Sequence, residues 1–464
     1  MNRFVNLICR ITCTTVLCSV AVVAEVPSCP HSSAEIRAAL DVARKSAEQA
    51  SDQYVRSQLL HEVAKGYARD GDFEPALQVI RVDSPLMWQA ADVLARNMLR
   101  CGLAPEVKAL APTLEGRSRS LVLQWLAEWQ SKHDDPAGAR ETLSKIKDND
   151  IRREAEFNII SFKALNGDAK TAEGEYRKLL QTSPPGLEST DDLVLQDMAV
   201  LYVMKGDVDA ALESLDKMKG RGKVYALYTA VQVCGERKDK QGLVLLSKRT
   251  SKIAHQFLKD PDQAYPLSLL ASAQAKVGMF DDAIELAKSI PDEQRKNEAL
   301  VMIATHLIEA KDESRAKTLL DSLSKVPEDK GDHEAEREMA WVRIAMAQAN
   351  VGKGEEALKS LDAVRDPRMQ NLARWQRSYA LAVAGRFAEA RALAAQIPAQ
   401  FPRDERGQVF RLIAAVNAHQ KGGSEAMKWA GQLATPEDRT SAYLGIADGL
   451  LGEPTQAIPP YFQD

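Results

Sequence analysis

Aromatic residues are scarce: Phe, Tyr and Trp together make up 6% of the 464 residues. A core of the size this length allows must therefore be closed by aliphatic side chains and Ala, within an apolar content of 45%. No stretch alternates apolar and polar residues with a period of two between turn signals, so strands are not expected. Cysteines number six, at irregular spacing, and Cys9, Cys13 and Cys18 crowd into the first 24 positions. Neither a disulfide framework nor a paired metal-ligand spacing emerges from the other three, Cys29, Cys101 and Cys234. They read as one thiol in the N-terminal tail and two buried small apolar side chains. Positive charge is not in excess either, with 61 basic against 65 acidic residues, which removes the electrostatic footprint of a nucleic-acid or anionic-lipid binder. The longest apolar run, about 14 residues from Ile11 to Ala24, falls short of the roughly 20 that a spanning helix needs.

What that run does suit is export. Residues 1–24 carry Arg3 and Arg10 and no acid, then the apolar run, then small residues at Ser19/Ala21 and Val22/Ala24 that fit a signal peptidase. Cleavage there leaves 59 basic against 65 acidic residues, a charge of about −6. A lipid anchor is not expected, because Cys18 follows Leu17 and Cys29 follows Ser28 in a polar context. The expectation is an exported protein, periplasmic or extracellular, with no integral membrane segment after cleavage.

The rest of the chain repeats itself. The stretch Ala273 to Asp292 has a helix-ending Gly278 with Ala271 seven residues before it and Ala283 five after it. The same arrangement recurs around Gly71, Gly102, Asp134, Gly167, Gly206, Asp239, Lys311, Gly352, Gly385 and Lys421, eleven copies in all. Of the twenty-two flanking positions seventeen are Ala; Ile160, Gln232 and Ser378 are the departures on the first side, Val107 and Val244 on the second. A Gly is expected where a helix ends and the chain must turn left-handed, and Asp or Lys there costs some stability. Apolar residues one and four positions before the first Ala, such as Leu270 and Leu267, make an i, i+3, i+4 stripe. Two antiparallel helices can approach closely where both carry a methyl at the crossing while Leu and Ile fill the flanks. Each copy is thus a helical hairpin, and hairpins that bury too little alone must stack. Pro-rich and acidic surpluses at 181–192, 258–266, 326–336 and 397–406 read as loops between hairpins, with 181–192 the one place for a domain seam.

The pattern resembles the tetratricopeptide repeat, a unit of about 34 residues with a small residue at its eighth position, Ala at its twentieth and a bulky residue at its fourth, where this chain has Trp341. The resemblance covers 54–451. It departs from the family in placing Pro291 earlier than the usual Pro, which should shorten the second helices. The resemblance implies an all-α, right-handed superhelical solenoid of about eleven antiparallel helical hairpins plus capping helices. Around it stand a tail and capping helix at 25–53, from Ala34 to Gln49, a last helix over 439–451 without a second helix, and an extended tail at 452–464.

No chemistry accompanies this frame. His61 opens "HEVAK", which lacks the second His of a zinc-protease signature, and "HEAERE" from His333 to Glu338 is a charged helix start. The seven His fall in different copies, with no nucleophile arrangement or phosphate-cradling loop beside them. Trp125 and Trp129 read as packing residues. No catalytic residue, cofactor or metal is expected.

In the resembled family the first helices line a concave groove, and its groove positions fall here on Val301 and Thr305, Met339, Val342 and Met346, and Leu372, Trp375, Tyr379 and Val383. This strip is the candidate partner site, unless tight winding makes it core. Copies one and two place Gln58, His61, Lys65, Arg69, Asp92, Arg96 and Arg100 there, a polar and partly basic end. The expected function is a non-catalytic protein-binding scaffold of the bacterial periplasm or envelope that holds a protein or peptide partner. The alternatives are a structural subunit of an envelope assembly, such as cell-wall or outer-membrane machinery, or the helical superstructure of an enzyme.

Overall fold

A computed structural model describes residues 33–80, 88–166, 169–181, 190–218, 222–257, 263–312, 314–316, 318–319, 333–350, 352–362, 364, 370–398 and 405–452. The signal, Met339's side chain, Gly167 and the C-terminal tail lie outside what is described. Among the described residues the regular structure is helical and no strand occurs, so the chain is all-α. α1 (Ala34–Glu48) comes first. Helices then follow in succession: α2 (Gln53–Asp70), α3 (Phe73–Ile80), α4 (Trp88–Arg100), α5 (Ala104–Leu110), α6 (Gly116–Lys132), α7 (Pro136–Ser144), α8 (Asn149–Asn166) and α9 (Ala169–Gln181). Next come α10 (Thr190–Lys205), α11 (Val208–Lys217), α12 (Gly222–Glu236), α13 (Lys240–Phe257), α14 (Ala264–Lys276), α15 (Phe280–Ser289) and α16 (Glu293–Glu309). The last are α17 (His333–Asn350), α18 (Gly354–Leu361), α19 (Gln370–Val383), α20 (Phe387–Ala394), α21 (Glu405–Lys421), α22 (Gly423–Ala430) and α23 (Pro436–Leu450).

Longer even-numbered helices up to α16 alternate with shorter odd-numbered ones, and the alternation resumes from α17. The 18-residue α13 is the main exception. The two kinds bury themselves differently. α12 buries ten of its residues, from Gly222 to Cys234, on several faces. α15 buries Ala283, Leu286 and Ala287 along one stripe and presents Asp281, Glu285 and Lys288 outward. A helix apolar all round belongs inside and an amphipathic one outside.

The turns between them follow the sequence markers closely. Gly71, Gly102, Asp134, Gly206, Gly278, Lys311, Gly352 and Gly385 all have positive φ. In the sixth copy the left-handed residue is Lys238, φ 55°, one position before the expected Asp239. Asp239 is instead the cap of α13, accepting the Gly242 N–H at 2.9 Å, as Asp135 does for α7, Asp207 for α11 and Asp312 for the helical residues that follow it. The register of that copy moves by one accordingly: Val244, expected at a helix crossing, is 55% exposed, and Leu243 is buried. In the last copy Lys421 stays helical and Gly422 takes the positive φ.

The chain divides into two compact units, residues 127–326 and a unit made of 27–126 with 327–464. The seam expected at 181–192 lies within the first of these. Each unit is built by its own contacts. In the split unit, Val342, Leu372, Trp375, Tyr379, Phe387 and Phe410 share one apolar cluster with the Ala residues of α17 to α21. The same unit joins the two ends of the chain: α1 packs on both α2 and α23. Leu40 and Leu444 meet over Gly66, and the Thr440 hydroxyl lies 3.4 Å from the Ala43 carbonyl. α23 also lies against α21 with almost no space between backbones. A Cβ added at Gly445 would stand 2.0 Å from the Arg411 carbonyl oxygen, and one at Gly449 2.2 Å from that of Ala415. The two end helices expected as separate caps thus complete a common core.

Cys234 is a buried free thiol, pushed up to about 11 by burial and then by Asp239. Cys101 is disulfide-bonded, its partner lying outside the described residues. This corrects the expectation of a buried thiol at that position.

Candidate functional site

The apolar strip read from the sequence is largely core. Trp375 is 2% exposed, Tyr379 5% and Val342 0%, and Val301 and Leu372 are equally enclosed; Met346 is half-buried. Burial pushes the Tyr379 phenol up to about 12. Trp375 and Tyr379, one turn apart on α19, hold their ring centroids 6.4 Å apart inside the cluster of the split unit. Such side chains are structural in this state, the alternative that tight packing between neighbouring longer helices allows.

The basic end is not a free cationic patch either, since each of its cations is engaged. Lys65 lies 2.8 Å from Glu62, Arg96 2.6 Å from Asp92, and Arg69 3.0 Å from Asp448, while Arg100 donates to the Asn97 side-chain oxygen at 3.3 Å. Arg411 of α21 completes the network, donating to Asp448 at 2.6 Å and to Glu62 at 2.9 Å. Burial alone would raise the Glu62 carboxyl, but Arg411 and Lys65 outweigh it and hold the group at about 2. The same two acids push the Arg411 guanidinium up against the effect of its burial. His61, also buried, places Nε2 2.9 Å from the Gln89 side-chain oxygen and leaves Nδ1 without a partner; burial lowers its pKa. Trp125 donates its indole N–H to Asp92 at 2.5 Å beneath Arg96. These groups join helices rather than face a ligand.

A different feature, in the 127–326 unit, is open. A cleft of about 390 Å³ lies among α6, α7, α8 and α9. Its walls are fixed by contacts behind them. α7 starts at Pro136 under the Asp135 cap, and the Thr142 hydroxyl donates to Gln130 of α6 at 2.7 Å. α8 is tied to α6 by Asn158 donating to the buried Glu128 at 2.7 Å. α9 is held by Tyr176, whose ring packs 4.8 Å from that of Phe157 and whose hydroxyl donates to Asp197 of α10. Burial, then the Asp197 charge, pushes that phenol well up.

Ala139, Leu143, Ile159, Ile160 and Leu179 give the cleft an apolar lining, and Arg140, Glu156, Lys163, Glu175 and Lys178 carry charge around it. Behind it the core is thin: Ala127, Ala139 and Ile159 form a small cluster with Leu143 packed on it. Ile160 supplies a sequence signal that was there to be read. It is the branched residue at a crossing position where eight copies have Ala, and its bulk takes space a neighbouring helix otherwise fills. Among the described residues no group of acids, His and Cys converges as a metal site. The cleft can hold an apolar group with charged side chains around its edge.

These features define an all-α protein of alternating longer and shorter helices. No family model matches the chain, and no curated protein matches it. Among solved structures it is similar to the crystal structure of Ton1535 from Thermococcus onnurineus NA1, at 16% identity over 76% of this chain and 97% of that one. The TM-score of 0.25 is too low for that likeness to specify a shared fold.

Proposed function

We propose that this is an exported, non-catalytic protein-binding scaffold, a tetratricopeptide-like solenoid of about eleven hairpins that holds a segment of a partner protein. The observation that carries the reading is the cleft of α6 to α9, an apolar, open depression with rigid walls and a charged edge on a frame that has no other evident use for it. The recurring positive-φ turns support the repeat. Export is supported by the leader-like residues 1–24 and by the disulfide at Cys101, since such bonds persist in oxidising compartments. Among the described residues no helix is long and apolar enough to cross a membrane.

The test is cross-linking in the native host, with a photoreactive residue at Arg140 or Lys178, followed by fractionation and mass spectrometry. One recurrent protein adduct in the periplasmic or secreted fraction is expected. A protein recovered in the cytoplasm with its first 24 residues intact, or no adduct from either position or from any exposed helix face, would overturn the reading.

A further inference from the structure

We infer that the cleft of α6 to α9 receives an acidic amphipathic segment of a partner protein, with apolar side chains against Leu143 and Ile159 and carboxylates against Arg140 and Lys178. This rests on the scaffold reading and adds the chemistry of the occupant.

The argument is one of charge left over. Of the charged groups at the edge, Lys163 and Glu175 neutralise one another at 3.4 Å, and Glu156 has Arg152 at 4.0 Å. Arg140 and Lys178 are exposed and form no ion pair among the described residues. The lining therefore presents apolar surface with two uncompensated cations, one on α7 and one on α9. An occupant must be apolar where it enters and negative at two separate places where it leaves. A fatty acid or other single-headed amphiphile has one carboxylate and can satisfy one wall. A peptide with acids on both sides of an apolar residue can satisfy both, and a volume near 390 Å³ lies within the roughly 300–1,000 Å³ typical of small binding clefts. The cleft is lined by α6 to α9, so the residues that meet the partner are different from those the sequence pattern suggested.

The mature full-length protein is titrated with two fluorescent peptides of equal length, one patterned in Leu and Glu and one in Leu and Lys, with dodecanoate as a competing single-headed amphiphile. The Leu/Glu peptide is expected to bind at least tenfold more tightly than the Leu/Lys peptide. Its binding should weaken at least tenfold in the double variant Arg140→Glu, Lys178→Glu, and remain unchanged in Lys288→Glu, an exposed charge reversal elsewhere in the unit. Leu143→Gln should weaken binding of the Leu/Glu peptide at either salt concentration, while raised salt should weaken the wild type. Circular dichroism of each variant establishes that it is folded. Equal affinity for both peptides, indifference to the double charge reversal, or displacement of the Leu/Glu peptide by dodecanoate at equal concentration would overturn the inference. If the peptide fails while a native partner cross-links at another helix face, the occupant is wrong and the scaffold reading stands; if neither binds, both fall.

Discussion

Arg411 donates to Glu62 at 2.9 Å across 349 positions of sequence, and Arg411 also holds Asp448, which Arg69 of α2 reaches from the other side. These four charges hold together three helices, α2, α21 and α23, from distant parts of the sequence. Asp448 is 1% exposed while Arg411 and Glu62 retain 21% and 30% of their exposure, so the network is half in water. Removing Arg411 takes one cation from each of two acids and leaves Glu62 with Lys65 and Asp448 with Arg69. Arg411→Ala should cost about 3 kcal/mol, toward the low end for a buried pair, read as a shift in the urea midpoint. A change below about 0.5 kcal/mol would mean that the network is worth no more than a surface pair.

Acid should loosen the same joint in two stages. Glu62 is depressed from 4.5 to about 2, so the stability it contributes is complete above pH 4.5 and is lost as pH falls toward 2. His61, lowered from 6.5 by burial, resists protonation in the folded state, and its contribution is present above pH 6.5 and declines below it. Thermal melts from pH 8 to 3 should fall gently at first and more steeply below 4.5. Glu62→Gln should flatten the second stage, and His61→Gln the first.

Burial reverses the expectation for α19. Trp375→Ala and Tyr379→Ala each open a cavity in the cluster of the split unit and should cost about 3–5 kcal/mol. Trp375→Phe should cost far less, because the indole N–H has no partner to lose. Equal destabilisation by the Ala and Phe variants at Trp375 would show that the ring edge, and not the volume, matters.

Two glycines separate close approach from idle flexibility. Gly445→Ala forces a methyl to 2.0 Å from the Arg411 carbonyl, a backbone atom that cannot rotate away, and should cost at least the roughly 1–3 kcal/mol of an overpacked site. Gly174 in α9 has nothing within 4 Å, so Gly174→Ala should stabilise by about 0.5–1 kcal/mol. Paired melting curves decide between them.

Non-reducing peptide mapping of the mature protein should find Cys101 in a disulfide and Cys234 as a thiol. Recovery of Cys101 as a free thiol from the native compartment would remove the chemical support for export.

What could be read in advance was local. Gly at the end of an apolar stripe states a left-handed residue, and eight of the eleven markers have one. Lys238 was missed because a lysine there resembles any helix-end lysine, and Asp239 beside it serves the cap instead of the turn. Burial of Val342 and Trp375 was not legible, since it depends on how closely successive longer helices pack. Nor was the joint of α1, α2, α21 and α23, whose partners are hundreds of positions apart and whose signal, Gly445 and Gly449 four apart on α23, reads locally as weak helix former. The cleft was half legible through Ile160, but its free cations emerge only when Lys163 is seen to be taken by Glu175.

The docking of α1 on α23 also sets an order in time. Ile36, Leu40 and Ala43 are synthesised before the whole of 127–326, yet the helix that covers them ends at Leu450, after it. The split unit therefore cannot finish folding as it is synthesised, and its long-range closure is a slow step during which the apolar face of α1 stays open to other chains.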